Sequence, residues 1–139
     1  MKKSFLILPV ILSLFVFTAQ AQCNLTSTNT PKPTSLGIVI YTNDVETVWN
    51  AIRFANFSKN QGDTVNIFLL GKGVELDNLV KTDKDTKEQT DAFLASGGII
   101  LGCGTCLQKR NNNEPQVCKY SSMKDLYDLV RKNKIVMTF

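Results

Sequence analysis

Short apolar runs alternate with polar, turn-forming stretches along the chain, and their spacing predicts most of its elements. Leu36 to Thr42 (LGIVIYT) and Thr64 to Leu70 (TVNIFLL) are apolar and rich in β-branched residues, which marks them as buried strands. Between them, Asn43-Asp44-Val45-Glu46 has the spacing of a capping box that opens a helix. Val45, Val48, Ile52 and Ala55 follow at helical intervals with Trp49 beside them, and Gly62 stands where that helix should stop. Residues 71–80 read as a loop with at most one helical turn. Asp83 to Ser96 predicts a polar helix ended by Gly97-Gly98. Ile99 to Gly102 is a short third strand that runs directly into Cys103-Gly104-Thr105-Cys106. Lys109 to Gln116, with three consecutive asparagines and Pro115, predicts a loop. Ser122 then caps a helix with Asp125 at its third position, turning Met123, Leu126, Leu129 and Val130 inward. Lys134 to Phe139 supplies a last strand.

Strands whose apolar residues are continuous rather than alternating are buried on both faces, as in a parallel sheet covered by helices. The pattern therefore predicts an α/β fold, a small three-layer sandwich around a mainly parallel sheet, over residues 36–139. Ligands of such sheets bind beyond the carboxyl ends of the strands. Cys103 lies at one of those ends.

Ahead of this domain the pattern changes twice. Residues 22–35 are rich in Thr, Ser, Asn and Pro and read as a disordered spacer. Residues 1–21 read as an export signal. Met1-Lys2-Lys3 is basic, Phe5 to Phe17 is apolar but for Ser13, and Ala19-Gln20-Ala21 predicts cleavage before Gln22. The apolar run is shorter than the ~20 residues of a membrane span, so no stable insertion is expected after cleavage. A lipoprotein signal would place Gly or Ala before Cys23, where Gln22 stands. The destination predicted is periplasmic or secreted, where disulfides persist. Asn24-Leu25-Thr26 matches the N-glycosylation pattern, which matters only in a eukaryotic secretory route.

Composition narrows the chemistry. The 139 residues are 43% hydrophobic, enough for one packed domain. The formal charge is +4 and falls to +2 once Lys2 and Lys3 are removed. No Lys/Arg run is interleaved with aromatics, so no nucleic-acid partner is expected. The chain has no histidine, which excludes Ser-His and Cys-His dyads, His-ligated metals and imidazole proton shuttles. Carboxylates, lysines and thiols remain.

Of the four cysteines, Cys103, Cys106 and Cys118 are grouped. A thiol at a strand end entering a helical turn meets backbone N–H groups that favour its thiolate. Gly102, Gly104 and Thr105 are small enough to let a sulfur compound approach, and Lys109, Arg110 and Lys119 add positive charge. Four roles fit these residues. One is a disulfide stapling the 107–117 loop. A zinc site is a second, but it wants four ligands where three clustered thiols are available. The third is dithiol–disulfide exchange through Cys103 and Cys106. The fourth is a sulfur carrier that holds a sulfur atom as a cysteine persulfide. Gly71-Lys72-Gly73 lacks the spacing of a phosphate loop and predicts a tight turn at a strand end near the sulfur site.

Gly37-Ile38-Val39-Ile40-Tyr41, Phe68-Leu69-Leu70-Gly71-Lys72-Gly73-Val74-Glu75, Cys103-Gly104-Thr105-Cys106-Leu107 and Ser122-Met123-Lys124-Asp125-Leu126-Tyr127, taken with the last strand, resemble the DsrE/DsrF-like family. The similarity spans residues 36–139. It implies a parallel-sheet α/β fold, a homo-oligomer, and relay of sulfur through a cysteine just after a central strand, which Cys103 matches. On that basis Cys103 is the expected persulfide site, Cys106 a resolving or second relay thiol, and Cys118 a third. Partners would be sulfur donor and acceptor proteins or small sulfane-sulfur compounds. No cofactor or metal is implied. The rival readings are an extracytoplasmic dithiol–disulfide oxidoreductase using Cys103 and Cys106, and a non-catalytic binding or assembly subunit that works without the clustered thiols.

Overall fold

The computed structural model describes residues 32–139. The signal segment, the first part of the spacer, Cys23 and the Asn24-Leu25-Thr26 triplet lie outside the described residues. Five strands, β1 (Ser35–Ile40), β2 (Thr64–Leu69), β3 (Ile99–Cys103), β4 (Lys119–Ser121) and β5 (Ile135–Thr138), form one sheet in the order β4-β3-β2-β1-β5. Every pairing is parallel. The helices are α1 (Val45–Asn60), α2 (Leu76–Thr82), α3 (Lys84–Ala95), α4 (Gly104–Gln108) and α5 (Met123–Lys132), with a 3-10 turn at Gly71–Glu75.

The strand order explains the layers. The chain steps one way from β1 to β4, so the connections carrying α1 and α2–α3 share one face of the sheet. It then returns past all of them to β5, which puts α5 on the other face. There Leu129 fills the space over Gly37, whose added Cβ would lie 2.5 Å from Leu129 Cδ2. The core between α1, α3 and the sheet is built from Ile38, Ile40, Val48, Ile52, Ile67, Leu69 and Phe93, all fully buried. The α/β fold and parallel sheet expected from the continuous apolar strands are thus present.

Several local readings change. The cap of α1 is Asp44, whose carboxylate accepts from the Thr47 N–H at 2.9 Å, rather than an Asn43–Glu46 box. The stop at Gly62 is as expected, with φ at +94°. Residues 71–80 hold more structure than one helical turn, because Leu76 and Asp77 are buried and Leu79 and Val80 pack against the core. Strand β4 was not signalled by its three residues, Lys119-Tyr120-Ser121, which carry no apolar pattern and pair only along the sheet edge. In α5 the capping box of Ser122 and Asp125 is formed. Of its predicted inward residues, Leu129 is buried and Leu126 packs against the core, but Met123 and Val130 face solvent.

Candidate functional site

Strand β3 delivers Cys103 as its last residue, and Cys103 also caps α4: its Sγ accepts from the Cys106 N–H at 3.4 Å. One helical turn separates the two thiols, so Cys106 Sγ comes to 2.6 Å from Cys103 Sγ. The pair is in direct sulfur–sulfur contact. Cys103 is buried, while Cys106 is half-buried. Burial pushes the Cys103 thiol above its ordinary range, and the hydrogen bond with Cys106 adds to that.

Neighbouring strand ends complete the surroundings. Chain leaving β2 enters the 3-10 turn, and the Gly71 N–H donates to Cys106 Sγ at 3.4 Å. Gly71 has φ at +55°, a left-handed conformation that glycine adopts without strain. At the other end of that turn, Glu75 Oε1 accepts from Arg110 Nε at 2.7 Å and Oε2 from Asn43 Nδ2 at 2.8 Å. The Arg110 and Asn43 bonds hold the Glu75 carboxyl below the usual carboxylate range. Arg110 Nη1 in turn donates to the Cys106 carbonyl at 3.3 Å. From β4, the Tyr120 hydroxyl donates to the Gly104 carbonyl at 3.0 Å and Ser121 Oγ donates to that of Gly102 at 2.8 Å.

The small residues around the thiols have structural duties. A Cβ on Gly104 would lie within van der Waals overlap of the Tyr120 ring, and one on Gly102 would lie 2.6 Å from Cys118 Sγ. Gly102 thus makes room for Cys118 and Gly104 for Tyr120, where the sequence suggested space for an incoming compound.

Cys118 stands apart from the pair. Its sulfur packs behind Gly102, and burial, reinforced by the negative charge of Asp77, pushes its thiol up to about 12. Asp77 is itself buried and accepts from Asn112 Nδ2 at 2.8 Å, from the Gln116 N–H at 3.0 Å and from the Val117 N–H at 3.0 Å. One carboxylate thereby pins the polar loop that ends at Cys118. Among the described residues no cluster of three or more His, Cys, Asp or Glu side chains could hold a metal ion.

Cys103 and Cys106 were legible as a motif. In the sequence Arg110 stood out only as positive charge beside the thiols, and Glu75, Asn43 and Tyr120 were not assigned to the site, because they come from other strands and the loops that follow them. The signal that could have found them is the rule that loops after neighbouring parallel strands converge at one edge of the sheet.

The DsrE/DsrF-like family profile matches residues 35–139, from the first strand to the last residue. The chain belongs to that family. Membership puts this DsrE/DsrF-like protein in a group of sulfur-relay type, with partners of that class. A Methanocaldococcus jannaschii protein described as uncharacterized, MJ0989, is 28% identical over 100 residues, covering 68% of this chain and 88% of that one. The crystal structure of the Escherichia coli ychN protein superposes with a TM-score of 0.63 at 15% identity, over 77% of this chain and 99% of that chain. BT1422 of Bacteroides thetaiotaomicron, a conserved protein of unknown function, gives a TM-score of 0.60 at 26% identity, over 75% and 94%. The two structures share the DsrE-type fold described above.

Proposed function

We propose that this DsrE/DsrF-like protein carries sulfane sulfur as a persulfide on Cys103, receiving it from a donor protein or small sulfane-sulfur compound and passing it to an acceptor. The observation that carries this reading is the Cys103–Cys106 contact at the carboxyl end of β3, with Cys103 buried beneath it. A sulfur atom bound there is shielded from water and from stray reductants, as a carried persulfide must be. The N-terminal pattern supports work outside the cytoplasm, in a periplasmic or secreted setting. The exposed apolar side chains of Met123, Tyr127 and Val130 on α5 support contact between copies of the chain.

The direct contact of the two sulfurs also favours a second reading, dithiol–disulfide exchange with a protein substrate. Intact-mass analysis separates the two. Reduced protein treated with inorganic polysulfide is expected to gain the mass of sulfur. Cys103→Ser should lose the lasting adduct and Cys118→Ser should keep it. A protein that never gains sulfur, yet cycles a 103–106 disulfide against a protein thiol, is an oxidoreductase.

A further inference from the structure

The two thiols of the pair are held differently. Cys103 is only 6% exposed, and its Sγ is approached from the chain by the Cys106 N–H and the Cys106 sulfur. Cys106 is half-buried and lies on the outer side of the pair. Its sulfur receives an N–H from outside its own helix, that of Gly71. The same turn that supplies this donor also ends in Glu75, which grips Arg110, and Arg110 holds the Cys106 carbonyl. One short turn therefore fixes Cys106 at both its sulfur and its backbone. A donor larger than a single sulfur atom meets Cys106 before it can reach Cys103.

We infer that Cys106 is the receiving thiol, that the Gly71 N–H is its anion donor, and that Cys103 is the storage position behind it. This rests on the carrier reading above and fixes the order of its steps. First, the Cys106 thiolate attacks the outer sulfur of a persulfide R–S–SH. The bond from Cys106 Sγ to that sulfur forms, the donor's S–S bond breaks, and R–S⁻ leaves to take a proton from solvent. Second, Cys103 Sγ attacks the same outer sulfur. Its bond to Cys103 forms, its bond to Cys106 breaks, and the Cys103 thiol proton passes to Cys106 across their contact. The sulfane sulfur keeps its oxidation level throughout, so no external oxidant or reductant is needed.

The order is opposite to that expected from the sequence, in which Cys103 met the donor and Cys106 resolved it. Two measurements test it. Limited iodoacetamide on the reduced wild type, followed by peptide mass mapping, should label Cys106 about tenfold faster than Cys103, since reactivity follows thiolate exposure. Rapid-quench mass analysis with glutathione persulfide should then show sulfur on Cys106 in Cys103→Ser as a short-lived adduct. Cys106→Ser should load Cys103 at a rate about tenfold below that of the wild type. Faster labelling of Cys103, or Cys106→Ser loading as fast as the wild type, overturns the order and leaves sulfur carriage standing. No sulfur uptake by wild type or either variant overturns the carrier reading and this inference with it.

Discussion

Three thiols within sixteen residues of sequence have three chemical settings in the fold, and the backbone around each one decides its character. Cys103 ends a strand and is enclosed by the helical turn it caps, Cys106 meets an N–H from another loop, and Cys118 sits behind Gly102 beside a buried carboxylate. Cys118 leads to a prediction about alkaline stability. Its thiol is raised from an ordinary 9.0 to about 12 in the fold. Between those values the unfolded chain loses the proton and the native protein keeps it, so stability falls as pH rises through that window. Denaturant midpoints of the wild type should therefore decline from pH 9 to pH 12 more steeply than those of Cys118→Ala. Parallel slopes would show that the thiol is not buried as described. Residue spacing alone revealed the Cys103–Cys106 pair, since a gap of two places both on one helical turn. It gave no hint of the contrast with Cys118, because burial behind Gly102 arises only when β4 is laid beside β3.

Elements with a strong apolar rhythm were legible in the sequence, and those held by polar contacts were not. Strands β1 and β2 and helix α1 bury regular apolar positions, so their pattern gives them away. Helix α3, which buries Thr86, Thr90 and Phe93, is the exception, legible from its polar run and the Gly97-Gly98 stop. Helix α2 is anchored by the Asp77 carboxylate and the loop it binds, a long-range arrangement that no local pattern encodes. Removing that carboxylate should show its worth. Asp77→Ala leaves two backbone N–H groups and the Asn112 amide without their acceptor, at about 1–3 kcal/mol for each group that stays buried. Hydrogen exchange at Gln116 and Val117 should accelerate markedly while exchange in β1 and β2 follows only the global loss of stability. Unchanged protection at Gln116 and Val117 would mean that another group holds the loop. At the turn before α2, Glu75→Gln removes the charge that grips Arg110. With both side chains about 30% exposed, the loss in stability should be about 1 kcal/mol or less. The sharper readout is the iodoacetamide rate at Cys106, which should change in Glu75→Gln and return in Glu75→Asp if the carboxylate positions that thiol through Arg110.

At the scale of the described residues, one face of the sheet is covered by α1, α2 and α3, while the other carries, among those residues, only the ten of α5. Ile99 and Val136 are consequently 41% and 38% exposed, and Met123, Tyr127 and Val130 line the outer side of α5 at helical spacing. Sequence reading turned Met123 and Val130 inward because a helix with two apolar sides cannot say which of them meets its own sheet. If copies of the chain meet on this face, light scattering should give a mass above that of one chain, and Tyr127→Glu should lower it. A wild type that stays monomeric at high concentration would remove the oligomer from the proposal.

The parallel sheet also has a consequence in time. It contains no hairpin, and its strand β1 is flanked by β2 on one side and by β5, about a hundred residues later, on the other. The Lys134 N–H reaches back to Ser35 Oγ, a separation of 99 residues. Such a sheet cannot close while the chain is still emerging from the ribosome, and non-local pairing of this kind slows folding even afterwards. If the chain is exported, as proposed above, that delay would serve it, because a translocation channel passes unfolded chain. The late arrival of β5 would then leave β1 without one of its two partners until that strand has been made, and the domain open enough to be threaded up to that point.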